Sequence, residues 1–150
     1  MIQTSIAASA TARSTKISPD PVPLDPLLRL AGEINHVHAL IVAEHGLDLM
    51  CGLIRRGCLA ATILRTGDNA DANDYDLVLV PDAPALPGID EMIRIARRSL
   101  APHGRLIAGV RDQKQARALA RRLRLNGFTF LRTIHLPAQI LLAADLRRMS

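Results

Sequence analysis

Aromatic side chains are nearly missing from this chain: two Phe, one Tyr and no Trp in 150 residues. That excludes a core built on ring packing, and it removes the stacking platforms that hold unpaired nucleic-acid bases. Cysteine is almost as scarce. Cys51 and Cys58 are seven residues apart on what reads as one helix, facing the same way. The ~10 Å rise between them is too long for a disulfide. No disulfide framework is implied, and a reducing, cytoplasmic setting is expected. No apolar run approaches the ~18 residues of a membrane span. Residues 1–18 contain no acid and only Arg13 and Lys16 as bases. They lack the apolar centre of a leader peptide and read as a flexible bacterial tail.

What is present is aliphatic. Hydrophobic residues make up 49% of the chain, so the core must be Leu, Ile, Val and Ala. The length suits one domain with a sizeable core. Net charge is +5 and unevenly spread, with 13 bases and six acids in residues 76–150. Arginine outnumbers lysine 17 to 2, and most arginines fall on polar helix positions. A solvated face explains them, and no nucleic-acid partner is expected.

The tail runs through Pro19-Asp20-Pro21-Val22-Pro23, an extended stretch that cannot be helical. A tail over residues 1–24 and one α/β domain over 25–150 are expected. Asp25-Pro26 reads as N-cap and first helical residue, and an apolar stripe carries that helix to about Ile34. The continuous run Ala39-Leu40-Ile41-Val42 marks a strand from His38 to Ala43, covered on both faces. After the tight turn Glu44-His45-Gly46, a helix from Leu47 ends at Arg55-Arg56-Gly57, with cations in its last turn and glycine beyond. Leu59 to Leu64 is the second strand.

A polar loop, Gly67 to Asp74, leads straight into Tyr75-Asp76-Leu77-Val78-Leu79-Val80. Ile89 to Leu100 is helical, and Pro102-His103-Gly104 turns into a strand from Arg105 to Val110. A basic helix from Arg111 to Leu125 follows. Phe128 to His135 and Ala138 to Leu146 close the chain as an antiparallel pair, because their connection is too short for a crossover. Strand–helix alternation implies parallel pairing elsewhere.

These residues resemble the class I S-adenosylmethionine-dependent methyltransferases. The first strand ends in an acid followed two residues later by glycine, Glu44-His45-Gly46. A central strand reads Tyr-Asp-Leu-Val-Leu-Val. Leu100-Ala101-Pro102-His103-Gly104-Arg105-Leu106 is similar to the family's L-x-P-G-G-x-L approach to a strand, and Leu125-Asn126-Gly127-Phe128 precedes the closing hairpin. The resemblance spans about residues 34 to 146. It implies a three-layer Rossmann-like fold, mostly parallel, with a C-terminal antiparallel hairpin and the third strand–helix unit missing. It also implies S-adenosylmethionine as cofactor, with Glu44 and Gly46 at its methionine end, Thr66 near the ribose and Asp82 facing the transferred methyl.

The chain departs from that pattern where the cofactor would sit. The ligand turn keeps one glycine of three, since Leu47-Asp48-Leu49-Met50 follows Gly46. Glycines there let backbone approach a ligand without Cβ atoms in the way. Arg65-Thr66 replaces the acid that grips the ribose, which forfeits ~1.5–3 kcal/mol of charged hydrogen bonding. The segment that helps hold adenine is absent. The reading expects a methyltransferase-like domain that has lost normal cofactor binding and serves as a binding or regulatory module. The alternative is an active methyltransferase on a small-molecule acceptor. Without a third strand, Leu59 to Leu64 becomes an open sheet edge, so a homodimer or a protein partner is expected there. No catalytic residue is assigned. His36-x-His38 has chelating spacing but no further clustered ligands, and no metal is expected.

Overall fold

The computed structural model describes residues 24–65, 74–85 and 88–147. Residues 1–23 of the expected tail, residues 67–73 of the polar loop and Thr66 lie outside the described residues. The elements in order are α1 (Leu24–Ala31), β1 (His38–Val42), α2 (Leu47–Arg55), β2 (Ala60–Leu64), β3 (Tyr75–Val80), α3 (Gly88–Ser99), β4 (Leu100–Val110), α4 (Gln113–Leu125), β5 (Phe128–His135) and β6 (Ile140–Leu146).

They form one six-stranded sheet in the order β2-β1-β3-β4-β6-β5. β1 pairs in parallel with both β2 and β3, and β3 in parallel with β4. β6 runs antiparallel to β4 and to β5. Ten residues separate β2 from β3, too few for another helix and strand, so the third unit is missing and β2 is an edge.

Strand alternation splits the core into two layers. On one face Ala39, Ile41, Leu77, Leu79 and Ile107 pack against Leu27 and Leu30 of α1 and Leu53 of α2. On the other, Leu40, Val78, Val80, Leu106 and Ala108 meet Ile89 and Ile93 of α3 and Leu119 and Leu123 of α4. Helices on both sides explain why β3 and β4 read as unbroken apolar runs. β2 differs: only Leu64 of its five residues is buried.

α1 is anchored by a half-buried ion pair. Arg105 on β4 donates from Nε to Asp145 Oδ1 on β6 at 2.6 Å. Its Nη1 donates to the carbonyls of Leu30 and Ala31 at 2.7 and 3.1 Å. A guanidinium therefore satisfies the open carbonyls at the C-terminal end of α1, where the helix dipole is negative.

Several boundaries differ from expectation, three of them for a visible reason. α1 starts at Leu24 and stops at Ala31, so Asp25 lies inside the first turn instead of capping it. The turn ends at Gly32, whose φ of +78° suits a residue without Cβ. β4 begins at Leu100, because Leu100 already pairs with Tyr75 before residues 101–104 bulge out. The bulge needs His103 at φ +68°. α4 begins at Gln113 because Asp112 caps it, accepting from Gln115 N–H at 2.8 Å. α2 stops at Arg55, where its cations and Gly57 put the end, so Cys58 lies beyond it and the expected shared helix face of the two cysteines is corrected. Cys58 is buried beneath the β1–β2 entry while Cys51 is exposed.

Candidate functional site at the carboxyl rim of the sheet

The chain leaves β1 for β2 on one side and returns to β3 on the other. The switch point thus lies between β1 and β3, where open α/β sheets bind ligands beyond the carboxyl ends of their strands. The turn after β1 carries Glu44, His45 and Gly46, and the turn after β3 carries Pro81, Asp82 and Ala83. Glu44 and Asp82, separated by 38 residues in sequence, are therefore brought to neighbouring strand ends. Both are exposed, as are His45, Asp48 and Arg65. Thr66 lies outside the described residues.

Gly46 is buried at the N-terminal end of α2, with φ −106° and ψ 6°, a conformation open to any residue. Its lack of a side chain matters for space. A Cβ there would stand 2.9 Å from Ile41 Cγ2 and 3.5 Å from Ile63 Cγ1. The bare side of the glycine is occupied by strand side chains beneath it, and the turn lies flat on the ends of β1 and β2. Leu47, where a second small residue would widen the approach, is exposed at 59%.

The turn after β3 is held by a staple that sequence reasoning missed. Gln115 Nε2 donates to the Ala83 carbonyl at 3.0 Å, and its Oε1 accepts the Arg111 backbone N–H at 2.9 Å. Ala83 N–H donates to the Gly109 carbonyl at 2.9 Å. Gly109 is bare for a reason, since a Cβ would collide with the Pro81 carbonyl oxygen. A glutamine in the first turn of a basic helix carries no sequence mark of such a bridge. Arg111 and Asp112, also on the rim, are placed by this staple and by the α4 cap. Asp112 is a capping residue.

Other groups bear on chemistry less directly. Burial pushes the Cys58 thiol above its ordinary range, although hydrogen bonds to backbone carbonyls, Ala60 among them, act the other way. It is a poor nucleophile at neutral pH. The ion pair to Arg94 holds the exposed Glu91 carboxyl below its ordinary range. Among the described residues, no group of three or more His, Cys, Asp and Glu side chains could hold a metal ion. No helix among them is long and apolar enough to cross a membrane. An open depression of about 570 Å³ lies on the outer side of α4, lined by Arg117, Ala120, Arg121, Arg124 and Leu125. It includes none of the rim residues, and the switch point is the better candidate on topological grounds.

No protein-family model matches the chain, and no curated protein matches it in sequence. Solved structures do. A T. thermophilus 16S rRNA N2 methyltransferase, in complex with AdoMet and guanosine, matches with a TM-score of 0.64 at 17% identity, covering 83% of this chain and 39% of its own. A structure of a Haloferax volcanii methyltransferase activator in complex with a methyltransferase matches with a TM-score of 0.64 at 11% identity, over 85% and 89% of the two chains. The Burkholderia thailandensis 1,6-didemethyltoxoflavin-N1-methyltransferase, with its substrate and S-adenosylhomocysteine bound, gives 0.59 at 13% identity, over 76% and 72%.

This chain spans well under half of the T. thermophilus protein. At these identities the likeness defines architecture: the chain has the Rossmann-like fold of the class I S-adenosylmethionine-dependent methyltransferases. Among the described residues it is a short form of that fold, with six strands and no third strand–helix unit.

Proposed function

We propose that this chain is a methyltransferase-like binding or regulatory module that has given up normal S-adenosylmethionine binding. The observation that carries this reading is the seat of Gly46. In a cofactor turn, glycines keep the backbone bare on the ligand side. Here the one remaining glycine has its bare side filled by Ile41 and Ile63, and Leu47 and Asp48 add side chains at the next two positions. Asp48 also sets a negative charge near where the amino-acid end of the cofactor would lie. Arg65 follows β2 where the ribose-gripping acid is absent, which leaves Thr66, or Asp68 just beyond it in sequence, to substitute for it. With the cofactor gone, the open edge at β2 becomes the binding surface, and a protein is its partner.

Isothermal titration calorimetry with S-adenosylmethionine and S-adenosylhomocysteine tests this reading. No heat at millimolar ligand is the expected result. Saturable binding in the micromolar range would overturn it.

A second reading has one observation in its favour. Glu44 and Asp82 flank the switch point from adjacent strand ends, as an active member of the fold would require. In that reading Glu44 and Gly46 hold the methionine end of S-adenosylmethionine, Thr66 meets the ribose and Asp82 faces the methyl. The cofactor supplies an electrophilic methyl group, and the acceptor is a small molecule, because the rim offers no aromatic platform for a base. Glu44→Gln and Asp82→Asn would then each weaken the calorimetric signal.

A further inference from the structure

The two edges of the sheet are built differently. β5 is protected in the ways edge strands usually are. Phe130, at φ +54°, bulges out of register between Thr129 and Arg132, and Arg132 adds a charge. β2 has none of these devices. Its residues are Ala60, Ala61, Thr62, Ile63 and Leu64, with no charge, no proline and no bulge in the pairing with β1.

Its hydrogen-bonding row is half used. Ala60 N–H donates to the Val37 carbonyl and the Leu64 carbonyl accepts from Ala43 N–H. Backbone groups alternate sides along a strand, so Ala60, Thr62 and Leu64 face β1. Ala61 and Ile63 turn their N–H and C=O groups outward, toward the side where no described strand lies.

The helix above this edge is apolar on the same flank. A Cβ on Gly52 would lie 3.1 Å from Leu24 Cδ2, so that side of α2 faces α1. At ~100° per residue, Leu47 and Ile54 project within ~40° of the opposite direction. α1 lies toward the sheet interior, tied to β4 by Arg105, so the flank bearing Leu47 and Ile54 overhangs the open edge. Leu47 is 59% exposed, Ile54 47% and Leu59, just before β2, 58%. These are three of the five large hydrophobic side chains exposed among the described residues. Unpaired backbone and unburied apolar surface therefore coincide on one side of the molecule.

We propose that a second copy of this chain docks here, pairing β2 with β2 in antiparallel fashion about a two-fold axis at Thr62. This deepens the preceding reading by naming the partner at the edge, and it rests on that reading. The register follows from which groups point outward. With Thr62 opposite Thr62 of the other copy, Ala61 stands opposite Ile63, and the outward groups close four backbone hydrogen bonds. A two-fold interface must be complementary to itself. An uncharged strand of small and β-branched residues meets that requirement, because no like charges are brought face to face. The two α2 flanks then lie side by side on one face of a continuous twelve-stranded sheet, twice the six of one copy. Leu47 and Ile54 of each copy are removed from water there. The second copy supplies in trans the neighbouring strand and helix that this short fold lacks in cis.

Sedimentation velocity on the full chain, from low micromolar to several hundred micromolar, is expected to show a dimer. Leu47→Glu with Ile54→Glu places four carboxylates at the proposed interface and should weaken association by more than ~100-fold. Both positions are exposed in the monomer, so the fold should persist by circular dichroism. Independently, Thr62→Cys in a Cys51→Ser background should give a covalent dimer with diamide. Facing residues in a non-hydrogen-bonded antiparallel pair have Cα atoms ~4.5 Å apart, within disulfide range.

A monomer at every concentration overturns the proposal. So does a dimer indifferent to the glutamate pair, or a Thr62→Cys chain that stays uncross-linked. Calorimetry with S-adenosylmethionine separates the two levels. A monomer that gives no heat removes only the second copy, whereas a chain that binds the cofactor overturns the module reading itself.

Discussion

Replacing Gly46 by alanine asks whether that glycine serves the sheet or a ligand. The added Cβ would sit 2.9 Å from Ile41 Cγ2, against an optimum near 3.5–4.0 Å for two carbons. Ile41 is fully buried on β1 and cannot swing aside, so the turn must lift by several tenths of an ångström. Overpacking of this kind costs ~1–3 kcal/mol. The φ of −106° is accessible to alanine, and loss of glycine freedom in the unfolded chain returns ~0.4–1 kcal/mol. The net expectation is a loss of about 1–2 kcal/mol, or roughly 3–8 °C in Tm for a chain of this size. Thermal and urea unfolding of the two proteins would measure it. Combining the change with Ile41→Ala sharpens the test. Ile41→Ala alone should cost ~2–4 kcal/mol, and the pair should cost less than the sum by about 1 kcal/mol, because the clashing methyl is gone. An unchanged or raised Tm for Gly46→Ala would refute the reasoning. The turn would then have room to spare, and its glycine would be free for a ligand.

Three further outcomes follow from the same geometry. Arg105→Met leaves Asp145 and the Leu30 and Ala31 carbonyls without their shared donor. The pair is 27% and 25% exposed, so solvent recovers part of the loss, and about 2 kcal/mol should disappear from urea unfolding. Limited proteolysis near Gly32 should speed up as α1 loosens. Asp112→Ala removes the α4 cap and should lower stability by ~1 kcal/mol, with the start of α4 losing amide-exchange protection. Cys58, with its thiol pushed up by burial, favours the neutral form when folded. Its contribution is complete below the unfolded thiol pKa and is lost as pH rises through the raised folded value. Stability of the wild-type chain should therefore fall above about pH 8.5, and Cys58→Ala should remove that slope. Iodoacetamide should label the exposed Cys51 first, and equal labelling rates would contradict the burial.

Local patterning dictates the alternation of elements and hence the layered fold. Apolar runs such as Leu77-Val78-Leu79-Val80 suit only strands covered on both faces, and the final hairpin is forced by a connection too short to cross over. It also determined that β2 would be an edge, since ten residues cannot hold a helix and a strand. Which contacts those elements make depends on how they pack. The resemblance implies Glu44 and Asp82 on one rim, and the strand order that brings β1 beside β3 is what puts them there. Gln115 reaches back 32 residues to the turn at Ala83, a pairing invisible to periodicity. The stop of α2 at Arg55 was legible in its last-turn cations and Gly57, but the burial of Cys58 beneath the β1–β2 entry came only with the packing. A glycine in sequence marks only where a side chain is excluded, and Gly46 is such a position. That Ile41 stands 2.9 Å from where its Cβ would be is a matter of three-dimensional neighbours, which no local pattern names.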